Sequence, residues 1–214
     1  MYSMGRKSKS HPRRTLSQLL IAICYFLVGM EIVGGVQAAE QSVATRERHR
    51  QELERLGGKL LQVIRHGDIE GLIALVGDDV ELGPDYKVTK RQLAQELGRR
   101  EGRTYASLFD TQRLRVFHEE FLQRLSPEQR KDIPVPKSVQ DHLQGALDVE
   151  IKVRFLVGET TDPPALAVVG YDWPGRPSLN ELPNPAFMWT PRGWKLIDLF
   201  TVQAWAIAAP GYRP

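Results

Sequence analysis

The sequence predicts an α+β domain in which N-terminal helices pack on an antiparallel β-sheet of about four to five strands. Apolar residues recur at helical spacing as far as residue 145, and every second residue is apolar over 147–157. Near the C terminus, two aromatic-rich runs flank a turn signal within 185–200. Because the helices precede a run of strands with short links, the pattern favours α+β over alternating α/β.

The first 38 residues have the composition of an export signal. Five basic residues precede an apolar run at 19–30, which is shorter than the ~20 residues needed to span a bilayer. We therefore predict cleavage after Ala38, a linker at 39–44, and a periplasmic or secreted protein. Because Glu31 follows the apolar run and the cleavage site lies far from it, an uncleaved N-terminal membrane anchor is the alternative.

Cleavage would change the charge of the protein. Residues 1–38 hold five of the 29 Lys and Arg residues and one of the 26 Asp and Glu residues, so the net charge falls from +3 to −1. The mature protein would not be basic overall, so its net charge gives no reason to expect a nucleic-acid partner, and we expect no such partner. The only cysteine, Cys24, leaves with the signal, so the mature chain has neither a disulfide framework nor a thiol nucleophile.

An apolar stripe predicts the first helix, and a capping residue predicts the second. The stripe runs through 41–66, opposite a charged face. Gly57 and Gly58 interrupt it at a cost of about 1 kcal/mol each relative to alanine, which predicts a break or a close helix crossing. Asp68 is placed to cap a short second helix at 69–76.

The next elements depend on short signals. We predict a short strand at 79–82 and a helix over 90–100. The helix begins at a capping box formed by Thr89 and Gln92. Residues 104–110 are mixed in composition and predict a strand or an irregular buried connection.

Two further helices and an extended segment complete the helical part. An apolar stripe over 114–125 predicts an amphipathic helix that is capped by Asp110 or Thr111. Ser126 and Gln129 repeat the capping box, 133–136 is a rigid extended segment with two prolines, and a short helix is expected over 138–143.

The rest of the domain is predicted to be β-structure. Strands are expected at 147–157 and 165–173, and the segment 185–200 predicts a β-hairpin. Pro191 suits the second position of a type I turn, and Gly193 can adopt the left-handed conformation that closes a bulged loop.

Two short motifs resemble the NTF2-like superfamily, which includes SnoaL-like and cystatin-like α+β domains. Residues 64–72, Ile-Arg-His-Gly-Asp-Ile-Glu-Gly-Leu, are similar to its Gly-Asp-x-x-x-Leu helix junction, and 193–198, Gly-Trp-Lys-Leu-Ile-Asp, are similar to its closing Gly-Trp-Lys-Ile strand. The resemblance implies a curved, cone-shaped sheet and a single domain over 45–203 with a C-terminal tail at 204–214. The superfamily contains enzymes, ligand binders and association modules, so the fold does not fix the function.

Asp198 and His118 are the candidates for catalysis. By alternation Asp198 shares a face with Trp194 and other apolar residues of the last strand, so it could project into an apolar cavity as a general acid or base. The alternatives are that it lies at the sheet margin or pairs with an arginine such as Arg154. His118 lies on the flank of the apolar helical stripe. It either joins an aspartate and a tyrosine in an acid/base set or is a core or boundary residue.

No metal or cofactor is expected. His66, Asp68 and Glu70 are explained by helix electrostatics and capping, and no second histidine lies at metal-ligand spacing. The sequence also contains no phosphate-binding glycine loop, dinucleotide fingerprint or nucleophile elbow.

The aromatic residues of the sheet predict binding rather than catalysis. Tyr171, Trp189 and Trp194, with Asp198, are the expected ligand-binding residues, although core packing also accounts for aromatic side chains. The leading hypothesis is an exported, non-enzymatic domain that binds a small apolar ligand or a protein partner through its sheet. The alternatives are a cofactor-free hydrolase, isomerase or dehydratase that uses Asp198 with a tyrosine or histidine, and an envelope interaction module that forms a homodimer through the sheet.

Overall fold

The computed structural model describes residues 42–131, 133–145, 148–157, 164–174 and 183–206. The predicted signal peptide and its cleavage site lie outside these residues. The described residues from Thr45 onward belong to one compact unit. None of the helices in the described ranges has the length and apolar character needed to cross a membrane.

The described residues form an α+β fold with eight helices and six strands, as the sequence predicts for the fold class. In chain order they are α1 42–65, α2 Ile69–Leu75, β1 Val76–Gly83, β2 Tyr86–Thr89, α3 Lys90–Arg99, α4 Arg103–Phe109, α5 Thr111–Leu122, α6 Pro127–Arg130, α7 Val139–Leu143, β3 Glu150–Val157, β4 Leu166–Asp172, β5 Ala186–Thr190, β6 Gly193–Asp198 and α8 Phe200–Ala204.

The strands form one open, mixed sheet in the order β2-β1-β6-β5-β4-β3. Strands β3 to β6 pair antiparallel, but β1 lies parallel to β6. The sheet therefore differs from the expected antiparallel sheet of four to five strands. The extra strand is β2, which the sequence analysis missed because only Val88 of its four side chains is buried.

Two local predictions were wrong. Helix α4, Arg103–Phe109, stands where a strand or an irregular buried connection was expected over 104–110. Ala106, Ser107 and Leu108 are buried in succession, which does not fit a half-buried strand. Helix α1 also continues through Gly57 and Gly58 without a break. The glycines were expected to allow a close crossing with another helix, but at Gly57 the helix lies close to the sheet instead. A Cβ on Gly57 would lie 2.7 Å from Cγ1 of Val169.

The predicted helix caps and the hairpin are confirmed. Gly193 adopts φ 89° at the end of the β5–β6 turn, where it pairs with Thr190, as expected for a residue that closes the loop. Side-chain oxygens accept hydrogen bonds from backbone N–H groups at the starts of five helices. The capping residues are Asp68 for α2, Thr89 for α3, Asp110 for α5, Ser126 for α6 and Ser138 for α7.

The core lies between α1 and the inner face of the sheet. Helix α1 contributes leucines such as Leu53 and Leu60, which are fully buried. The facing strands contribute Phe187, Leu196 and Val169, which are also fully buried. This packing places the aromatic side chains of the sheet against a helix.

Candidate functional site

Trp189 and Trp194 lie together beneath helix α1. They pair directly across the β5–β6 hairpin, and both rings contact the imidazole of His49 on α1, at centroid distances of 4.7 Å and 5.9 Å. The indole N–H of Trp194, which is 2 % exposed, donates to Nδ1 of His49 at 3.2 Å. The two tryptophans are therefore packed by the side chains of the chain itself.

Tyr171 is buried in the same layer. Its hydroxyl donates to the backbone oxygen of Gly57 at 3.3 Å, and its ring packs edge-on against Trp205 with centroids 5.4 Å apart. Burial raises the pKa of Tyr171 far above its ordinary value, so the phenol stays protonated. Tyr171 thus serves as a hydrogen-bond donor inside the core.

Asp198 ends strand β6 and is half-buried. Its Oδ1 accepts a hydrogen bond from the backbone N–H of Thr201 at 2.9 Å, and its Oδ2 accepts one from the Thr201 hydroxyl. The carboxylate therefore caps the first turn of α8. Asp198 does not line the cavity that His118 lines, so the structure does not bring the two candidates together.

His118 lines an apolar groove that the sequence analysis did not predict. We call it the α5–α8 groove, and its volume is ≈ 450 Å³. One wall is the face of α5, where the lining residues follow helical spacing. The lining residues of this wall are Leu114, Phe117, His118 and Phe121.

The other walls include the extended segment 133–136 and helix α8. The extended segment 133–136 supplies Ile133 and two prolines, and α8 supplies Phe200. Two of the largest lining side chains, Phe121 and Phe200, are 46 % and 42 % exposed. The groove is thus open to solvent along a mainly apolar surface.

Four polar side chains also line the groove. Ser107 and Gln203 satisfy each other, since the Ser107 hydroxyl lies 3.1 Å from Oε1 of Gln203. The guanidinium of Arg103 lies 5.6 Å from the centroid of the Phe117 ring. The Nε2 atom of His118 is buried and has no hydrogen-bond partner among the described residues. Two polar groups with unused hydrogen-bonding capacity therefore lie beside Phe117.

A second, polar cleft lies on the outer face of β3 and β4, with a volume of ≈ 430 Å³. Its central cation, Lys152, lies 2.8 Å from Asp172 and 3.6 Å from Glu150. The hydrogen bond to Asp172 is the main cause that raises the pKa of Lys152. Because Lys152 is already paired with two carboxylates, the apolar groove is the better candidate.

The sequence carried one signal for the α5–α8 groove. Helix α5 has the spacing of a core helix, yet none of its residues is buried in the structure. The apolar stripe of α5 was therefore visible in the sequence, but its exposure to solvent was not. Among the described residues, no group of three or more His, Cys, Asp and Glu side chains is arranged to hold a metal ion.

The fold and the groove define an α+β domain with an open mixed sheet and an apolar groove in its helical layer. No protein-family model, curated protein or solved structure matches this chain.

Proposed function

We propose that this chain is an exported NTF2-like domain without catalytic activity, which binds a small apolar ligand in the α5–α8 groove. The observation that carries the proposal is the exposure of Phe121 and Phe200 on facing walls of one groove. Exposed apolar surface of this kind marks interaction sites, and ligand pockets have volumes of roughly 300–1,000 Å³.

Membership of the NTF2-like superfamily is supported by the order of the elements. A long helix, a short helix and a strand pair are followed by five further helices and then by four successive antiparallel strands. The motif at 193–198 forms strand β6, between β1 and β5. Export is supported by the basic and apolar runs within residues 1–38.

Binding of N-phenyl-1-naphthylamine, an uncharged apolar fluorophore, tests the proposal. We expect its fluorescence to rise on titration with the protein. The variant Phe121→Ala should bind the fluorophore about tenfold more weakly. The fluorophore would no longer cover the exposed part of the Phe121 ring, and the lost apolar contact lowers the binding free energy by about 1.4 kcal/mol. Phe121 lies on the surface, so the variant should fold.

Val116→Ala is the matched control. Val116 is also on α5 and is 57 % exposed, but it does not line the groove. This variant should bind the fluorophore like the unaltered protein. Equal binding by Phe121→Ala and the unaltered protein, or no binding by any of the three, would refute the proposal.

Dimerisation through the sheet is a second candidate function. The outer face of the sheet exposes Leu156, Val157 and Met188, at 45 %, 53 % and 43 %. A homodimer that covers these side chains should be lost in the variant Met188→Glu, measured by light scattering. A monomeric unaltered protein at high concentration would exclude this candidate.

A further inference from the structure

We infer that the ligand of the α5–α8 groove is an amphipathic carboxylate, whose apolar body lies on the phenylalanines and whose carboxylate binds Arg103. The inference rests on the proposed function of the groove. It adds the chemical class of the ligand and its orientation.

Arg103 is a cation without an acidic partner in the described part of the chain. Its neighbour Arg113, by contrast, lies 3.9 Å from Asp110 and donates to the backbone oxygen of Arg100. Arg103 is the first residue of α4, and its guanidinium is held over the Phe117 ring. A guanidinium placed against an aromatic wall can bind a carboxylate with two parallel hydrogen bonds.

His118 supplies a second polar contact at the same end of the groove. It follows Phe117 on α5, and its buried Nε2 atom has no partner among the described residues. Because the chain covers this atom, the imidazole ring must turn towards the groove before a ligand oxygen can hydrogen-bond to it. An unpartnered buried polar atom costs about 1–3 kcal/mol, which such a hydrogen bond would recover. Arg103 and His118 therefore favour the same ligand group.

The groove continues one helical turn further along α5. Phe121 lies four residues after Phe117, which is about 6 Å along the helix axis. Phe121 faces the same groove as Pro134 and Phe200. A ligand with its carboxylate at Arg103 would therefore lay its apolar body towards Phe121.

Displacement of the bound fluorophore by decanoate and by 1-decanol tests the inference. The two compounds share an apolar chain and differ in the carboxylate, and both are used below the concentration at which they aggregate. We expect decanoate to displace the fluorophore more effectively than 1-decanol. Arg103→Gln should weaken decanoate about tenfold and leave 1-decanol unchanged.

Two further variants keep the result interpretable. Arg115→Gln makes the same change on the exposed face of α5, outside the groove lining, and should leave decanoate binding unchanged. His118→Phe keeps an aromatic ring, so it should retain the fluorophore and lose part of the preference for decanoate.

Each outcome separates the inference from the proposed function. Equal displacement by decanoate and 1-decanol, with no effect of Arg103→Gln, would overturn the carboxylate while leaving an apolar ligand. Failure of the fluorophore to bind would overturn the proposed function. If decanoate binds only after deletion of residues 207–214, the natural occupant of the groove is that segment of the chain. If dimer formation displaces the fluorophore, the occupant is a second copy of the protein. Either result overturns the inference.

Discussion

A single methyl group added at Gly57 tests how α1 is seated on the sheet. In Gly57→Ala the new Cβ would lie 2.7 Å from Cγ1 of Val169 and 3.3 Å from Cγ2 of Ile151. Val169 is fully buried and branched at Cβ, so its methyl group has little freedom to turn away. Overpacking of this kind costs about 1–3 kcal/mol.

Two other terms affect the free energy of unfolding of this variant. Alanine is favoured over glycine in a helix by about 1 kcal/mol. The helix must move away from the sheet, however, which weakens the hydrogen bond from the Tyr171 hydroxyl to the Gly57 oxygen, worth about 0.5–1.5 kcal/mol. We therefore expect Gly57→Ala to lower the free energy of unfolding by about 1–3 kcal/mol.

Gly58→Ala is a control one residue away. Its Cβ would meet only Cδ1 of Ile151, at 3.6 Å, which is an ordinary contact. This variant should gain up to about 1 kcal/mol from helix propensity. Urea unfolding followed by circular dichroism measures both. If Gly57→Ala is as stable as Gly58→Ala, the close seating of α1 on the sheet is refuted.

Two further predictions concern His142 and Asp198. Burial lowers the pKa of His142 below its ordinary value, despite a hydrogen bond with the Ala206 backbone. Below about pH 6.5 the unfolded chain therefore binds more protons than the folded protein, and the free energy of unfolding falls as the pH drops through this range. The urea midpoints at about pH 7.5 and about pH 5.5 should differ less in His142→Gln than in the unaltered protein, and an equal difference in both would contradict this. Asp198→Ala should lower the free energy of unfolding by about 1 kcal/mol. Asp198→Asn should lower it less, because asparagine keeps a side-chain oxygen that can accept the hydrogen bond from the Thr201 N–H. Equal stability of both variants and the unaltered protein would exclude a stabilising role of Asp198 at the start of α8.

The parts of the fold that depend on neighbouring residues could be predicted from the sequence. Thr89 and Gln92 form their capping box within four residues, and the β5–β6 hairpin closes over Gly193. In both cases the stabilising contacts are local. The parallel pairing of β1 with β6 could not be predicted in this way, because Val76 and Leu196 are brought together only by the packing of the whole domain.

The candidate site was predictable only in its residue types. His118 was placed on the flank of an apolar helical stripe, but spacing alone cannot show whether such a stripe meets a core or solvent. The answer depends on the segment 133–136 and on Phe200, which lie far from α5 in sequence. The side chains of the groove are therefore united by tertiary structure.

The position of α1 links the fold to the proposed function. The sequence did not show which face of the sheet Tyr171 and Trp194 occupy, or whether that face borders a cavity or a core. Gly57 allows the α1 backbone to approach close enough for Tyr171 to donate to it, and His49 accepts the hydrogen bond from Trp194. Because α1 covers this face of the sheet, the proposed ligand site is the exposed apolar surface in the helical layer, along α5.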